Sequence, residues 1–334
     1  MDPNLLSYTV SALNSGGAET AARLARMAIE QNGYDTAAWH VLGHAELRLQ
    51  HYAKANHCFC VCLSHNPEHA PSRQLFHETF GRATLECAAE LSAAFRNIEL
   101  ALETRLDDLY QGKVMSGFFQ GMQLHKETTW INDKSAKLLG VYESNLHPWL
   151  EQCVAQPYEH IINIGCAEGY YAVGLALKIP GAQVHAYDSD EAAQRVCFET
   201  ARLNGVSERM IVAGACTAQG LNAAIVQHRR TLVFADCEGY EMVLLDPEAA
   251  PALTGTDIIV ETHDFFGNRS IVDTLLQRFA TTHVIAVQKE TGRNPNEFAA
   301  LVELPSVISW LAMCEWRPKA QTWLRLLAKE PTPA

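Results

Sequence analysis

From Tyr158 onward the chain alternates short apolar runs with stretches long enough for helices. HIINIG, AQVHAYD, RMIVAG, TLVFAD, DIIVET and THVIAV each have the length and β-favouring content of a buried strand. Parallel strands need a crossover, usually a helix, so this alternation predicts a doubly wound, mostly parallel sheet with helices on both faces. A last strand is expected within CEWRPKAQTWLRLL.

The chain before Tyr158 reads differently. Between Ala18 and Pro67 the periodicity is helical, and Trp39, Leu42, Gly43, Ala55, Phe59 and Pro67 stand at fixed offsets within a 34-residue unit. Ala21 and Ala28 precede Ala55 and Cys62 by the same 34 residues. Small residues at such places let helices approach, aromatics fill the gap, and the proline ends the second helix. The segment resembles a tetratricopeptide repeat, with about one and a half repeats visible. A plain helical hairpin and a partner-binding surface both remain open. Cys58, Cys60 and Cys62, with His57 and His65 nearby, invite a metal reading, but residues two apart on a helix point to different sides, so packing cysteines are expected. A long helix follows over 82–112, then the glycine- and aromatic-rich KVMSGFFQGM. The expected organisation is a helical region over 1–112, a linker and lid-like segment over 113–157, and a catalytic domain over 158–330.

The 334 residues allow two compact units. A net charge of −12 withholds the basic field that nucleic-acid binding needs. No apolar run approaches a membrane span, and the opening MDPNLLSYTV lacks the basic flank of a signal peptide, so a cytoplasmic protein without a membrane partner is expected. The ten cysteines, scattered through a large chain, are expected as free thiols.

The first strand runs into Asn163-Ile164-Gly165-Cys166-Ala167-Glu168-Gly169 and then directly into the helical YYAVGLALKI. Glycines at a strand-to-helix junction let backbone N–H groups meet a ligand closely. The second strand ends at Asp188, 23 residues past Gly165, where a carboxylate can accept both hydroxyls of an adenosine ribose. The turn is G-x-x-x-G, not the dinucleotide G-x-G-x-x-G. Glu168 would repel a diphosphate but attract an ammonium group, which favours the methionine end of S-adenosylmethionine.

Gly165 to Gly169, Asp188, ARLNGVSERMIVAGAC, FADCEGYE and IIVETHDF, in that order, resemble a class I methyltransferase of the FkbM-like group. The resemblance covers roughly residues 140–290. It implies a Rossmann-like, seven-stranded sheet whose last strand is antiparallel, S-adenosyl-L-methionine as cofactor, adenine near Ala215 and Cys216, and ribose on Asp188. Asn163 departs from the acid that many relatives carry.

Strand four delivers Asp236, Cys237, Glu238, Gly239, Tyr240 and Glu241, and strand five delivers Glu261, Thr262, His263 and Asp264. Ligands of open α/β sheets sit at such C-terminal strand ends. Methyl transfer to a hydroxyl or ammonium needs the acceptor positioned and its proton removed, for which His263 is the preferred base and Asp236 and Glu238 orient it or bind a cationic acceptor. Asp236 also belongs to the expected cofactor contacts. Asp236 and Glu261 imitate a divalent-cation pair, but the usual third oxygen ligand is missing, so no metal is expected. Tyr142, Tyr170, Tyr171, Asp264 and Arg293 are candidate substrate contacts, with Glu143 facing the same site and Arg317 as a second carboxylate receiver.

A nicotinamide dehydrogenase is disfavoured by the glycine pattern. Nucleic-acid methyltransferases are disfavoured by the acidic charge and by Asp-Cys-Glu-Gly where an N/D-P-P-Y/F signature or a Pro-Cys nucleophile would stand. The acceptor classes left are a small biosynthetic intermediate, a sugar, or a peptide- or carrier-bound residue. A protein partner or a homodimer through the helical region fits the repeats. The opposing reading is a tetratricopeptide scaffold with a non-catalytic, cofactor-sensing Rossmann-like domain.

Overall fold

A computed structural model describes residues 4–127, 133–227, 230–263, 270–317 and 320–329, the side chains at 88–94 and 97 aside. The chain forms two compact units, 1–96 and 97–334.

The first unit is helical: α1 (Leu5–Asn14), α2 (Ala18–Gln31), α3 (Thr36–Arg48), α4 (Tyr52–His65) and the start of α5 (Ala70–Tyr110). Asp35 begins α3 by accepting the N–H groups of Ala37 and Ala38, both at 3.0 Å. The 34-residue correspondence has a packing cause, because Ala21 and Ala55, and likewise Ala28 and Cys62, are buried. Gly43 is small because the Phe59 ring lies where its Cβ would be. The expected long helix is longer still, running unbroken from Ala70 rather than starting near Arg82. Within the second unit its last turns bury Leu102 and Leu106, which is why that unit begins upstream of Gly112.

The second unit continues with α6 (Lys134–Leu139), α7 (His147–Val154), β1 (His160–Ile164), α8 (Tyr170–Lys178), β2 (Gln183–Tyr187), α9 (Glu191–Leu203), β3 (Met210–Ala213), α10 (Ala218–Val226), β4 (Thr231–Ala235), α11 (Glu241–Leu244), β5 (Asp257–Thr262), α12 (Ile271–Phe279), β6 (His283–Lys289), α13 (Ala299–Val302), α14 (Ser306–Leu311) and β7 (Thr322–Ala328). The strands form one seven-stranded sheet in the order β3-β2-β1-β4-β5-β7-β6. β1 to β5 pair in parallel, and β7 runs antiparallel between β5 and β6.

Alternation along the strands builds two cores. Ile161, Val184, Phe234, Ile259 and Trp323 face one side, and Ile162, Ile164, Val233, Ala235, Ile258, Val260 and Leu324 face the other. The glycine- and aromatic-rich segment after α5 belongs to the first of these cores. Phe119 is buried there and lies where a Cβ of Gly174 on α8 would be. Among the described residues no helix is long and apolar enough to cross a membrane, and the ten cysteines are free.

Candidate active site

The chain order reverses between β1 and β4, and the loops after these strands lie side by side at their C-terminal ends. Gly165 has φ +77°, and a Cβ there would run into the Asp236 carbonyl oxygen of the loop after β4. Gly169, at φ +93°, ends the turn just before α8, where a side chain would press on Cys197 and Val173. The turn is anchored from β2: Gly165 and Cys166 donate to the Tyr187 carbonyl, and Ala167 N–H donates to Asp188 Oδ2 at 2.9 Å. Asp188 is half-buried, with Oδ1 accepting from Asp190 N–H. Asn163 is buried in β1. Its Nδ2 donates to the Phe234 carbonyl at 3.2 Å, and its Oδ1 has no partner among the described residues. Cys166 is buried, and a hydrogen bond with Cys197, followed by burial, raises its thiol pKa. Past β3, Ala215 is exposed and Cys216 is buried, its thiol pushed up to about 11 by burial.

Glu168 has a partner that the sequence did not announce. Its carboxylate already faces an ammonium, because Lys137 of α6 pairs with Glu168 and, at 2.7 Å, with Asp133. All three side chains are buried. The Lys137 Nζ also lies over the rings of Tyr142 at 4.6 Å and Tyr170 at 5.8 Å. Burial lowers the lysine's proton affinity, but the two carboxylates outweigh it and the net shift is upward.

The strand-end acids converge with His263. His263 Nδ1 lies 2.7 Å from Glu241 Oε1, and its Nε2 lies 3.6 Å from carboxylate oxygens of Asp236, Glu238 and Glu261. The partner that orients the ring is therefore Glu241, at the start of α11, rather than Asp236 or Glu238. Burial lowers the His263 pKa, but the Glu241 bond and the charges of Asp236, Glu241 and Glu238 outweigh it and raise it overall. Burial raises the Asp236 and Glu238 carboxyls in turn. Glu238 is the exposed member of the group and sits at φ +53° just before Gly239 at φ +100°, a strained turn that aims its side chain at the histidine.

A second network backs the first. Arg317 pairs with Glu143, Glu261 and, at 2.7 Å, Glu315. Tyr171 donates its hydroxyl to Glu143. Burial and the neighbouring carboxylates lift Glu143 to about 7 against the opposing pull of Arg317. Arg293, expected to receive a substrate carboxylate, instead donates to the Val141 carbonyl at 2.9 Å and pairs with Glu290 and Glu315. Its guanidinium is thus held inside the protein. Two sets offer ligand atoms within 4.8 Å of one another, Asp236 with Glu238 and His263, and Glu143 with Asp236 and Glu261, although Arg317 already holds Glu143 and Glu261. Asp264 lies outside the described residues.

Lys137, Glu241 and Glu315 were not assigned roles from sequence. Glu241 stood in the quoted FADCEGYE with only its place at a helix start as a signal. Nothing in SAKLLGVYE distinguishes Lys137 from a surface lysine.

Residues 147–237, which include the glycine turn and Asp188, match the family model described as ribosomal protein L11 methyltransferase (PrmA). No curated protein matches the chain. Solved structures with a similar course include the O-methyltransferase TomG of Streptomyces achromogenes, in complex with SAM, at 13% identity over 59% of this chain and 89% of that one, TM-score 0.40. An O-methyltransferase of Bacillus cereus in complex with SAH is 15% identical over 57% and 82%, TM-score 0.40. A SAM-dependent O-methyltransferase of Thermotoga maritima is 13% identical over 58% and 68%, TM-score 0.35. Likenesses this distant bear on neither substrate nor site.

Proposed function

We propose that the chain is an S-adenosylmethionine-dependent methyltransferase, class I and FkbM-like, that methylates an oxygen or nitrogen, or alternatively a carbon, of a small biosynthetic intermediate, a sugar, or a peptide- or carrier-bound residue. The observation that carries this reading is the half-buried Asp188 carboxylate at the end of β2, bonded to the glycine turn that ends β1. The match of residues 147–237 to a methyltransferase family model supports it.

The residues at the turn fit such a cofactor. Asp188 faces the turn where ribose hydroxyls would lie, and Asn163 Oδ1 is a buried acceptor in want of a donor. Glu168 shares Lys137 with Asp133, so the buried trio keeps a net negative charge that would favour the cofactor's ammonium group. When bound, the cofactor supplies an electrophilic methyl group on a sulfonium. Glu241 then holds His263 through Nδ1, and Nε2 takes the proton that the acceptor's hydroxyl or ammonium releases. Asp236 and Glu238 stabilise the imidazolium so formed. Glu143, Tyr171 and Arg317 hold the wall behind these groups.

In the same reading the helices over 1–112 are tetratricopeptide-like and dock a protein partner or a second copy, and 113–157 connects them to a catalytic domain over 158–330. The buried Ala21/Ala55 and Ala28/Cys62 correspondences support this.

Calorimetric titration with S-adenosylmethionine and its demethylated product tests the proposal, with Asp188→Ala and NADH as controls. Micromolar binding of both sulfur compounds, lost in the variant, is expected. No binding, or a preference for NADH, would overturn it.

A further inference from the structure

The first helical unit contains a polar knot that neither the packing pattern nor the proposed catalysis uses. His40 on α3, Cys62 on α4 and His69, the residue before α5, bring ligand atoms within 4.8 Å of one another. At their centre is Ser72 on the first turn of α5. Its hydroxyl oxygen lies 2.7 Å from His40 Nδ1, 2.9 Å from His69 Nδ1 and 3.0 Å from Cys62 Sγ. Cys62 and Ser72 are fully buried, the histidines partly so, and the buried Phe59 ring lies 6.0 Å from the His40 imidazole.

We propose that His40, Cys62 and His69 form a binding site for a borderline-soft divalent transition metal of the zinc class. Two imidazole nitrogens and one thiolate are the donor set that zinc prefers and that calcium and magnesium do not. Bond lengths of about 2.0–2.1 Å to nitrogen and 2.3 Å to sulfur put a tetrahedral nitrogen–sulfur edge at roughly 3.6 Å. Cys62 Sγ and His69 Nδ1 are 3.7 Å apart, so that edge already has the required length. The imidazole of His40 closes the third corner by a small rotation once the Ser72 hydroxyl yields, and Ser72 or water takes the fourth. Cys62 S–H loses its proton to solvent as the metal–sulfur bond forms. The metal would tie α3, α4 and the start of α5 together.

The site differs from the one that the C-x-C-x-C run suggests. Cys58 packs in the apolar core with Leu42 and Ala45, and Cys60 is exposed, so only Cys62 of the three joins the histidines.

The test uses the full chain, treated with a chelator and then titrated with Co²⁺ as a spectroscopic probe. One equivalent should bind with a thiolate-to-cobalt charge-transfer band that Zn²⁺ displaces. The band should vanish in Cys62→Ser, weaken at least tenfold in apparent affinity in His69→Gln, and persist in Cys60→Ser, each variant being checked by circular dichroism. Should Cys62→Ser not fold, His69→Gln, altered at a half-exposed position, decides alone. A folded wild-type chain that takes up no stoichiometric cobalt, or equal binding by wild type and His69→Gln, would overturn the proposal and leave a knot held by the Ser72 hydroxyl and by its backbone N–H, which donates to His69 Nδ1 at 3.3 Å.

Discussion

The imidazole of His263 and the carboxylate of Glu241 share a 2.7 Å hydrogen bond with both side chains buried. Glu241→Gln keeps the shape and removes the charge. The His263 pKa should fall, read by NMR titration of labelled histidine, because the hydrogen bond and a nearby negative charge weaken together. An unchanged value would mean that the ring is tuned by Asp236 and Glu238 alone. Once an acceptor is in hand, the same substitution should lower turnover on the order of 10²-fold while leaving cofactor affinity alone.

Lys137 is the buried cation between Asp133 and Glu168. Lys137→Met strands two carboxylates in the interior and should cost about 3–5 kcal/mol in denaturant unfolding of the second unit. Combining it with Asp133→Asn and Glu168→Gln should restore most of that loss. A single substitution costing no more than a surface change would contradict the arrangement.

Stability should fall as pH rises across the acid cluster. Glu143 holds its proton to about 7 in the folded chain, against about 4.3 when unfolded, and His263 holds its own above the unfolded value of about 6.5. Both groups bind protons in the fold that the unfolded chain has released, so their contribution is complete below the unfolded value and is lost as pH rises through the folded one. Glu143→Gln should therefore flatten the stability profile between about 4.3 and 7 relative to wild type, measured by unfolding at a series of pH values. A variant profile parallel to wild type would refute the raised value.

Gly43 yields its side-chain space to Phe59. Gly43→Ala should overpack this contact and destabilise the first unit by about 1–3 kcal/mol, with Phe59→Leu in the same chain relieving much of the strain. Thermal unfolding of the three variants checks the pair, and additive losses would show that the two positions do not compete for the same space.

The strands and their order of appearance were legible because short continuous apolar runs, glycine turns and intervening helices are local properties. The same holds for Asp188, which a strand end and a fixed distance from Gly165 identify. The partner of Glu168 was hidden for the opposite reason: its charge was visible, but its counter-charge, Lys137, lies 31 residues earlier on another element. Arg293 and Arg317 read as candidate receivers of a substrate carboxylate because nothing in their neighbourhood announces the carboxylates of Glu143, Glu261 and Glu315 that hold them.

What the sequence determined by itself was the alternation that demands a parallel sheet, the glycine turn beside an acid, and the small residues that let helices pack, since each is a steric or periodic demand felt within a few residues. Which nitrogen of His263 faces which acid, which cation neutralises Glu168, and which cysteine of three meets two histidines were decided only by tertiary structure. Coulomb and hydrogen-bond energies depend on distances between side chains far apart in the chain, and those distances exist only once the sheet and helices have closed.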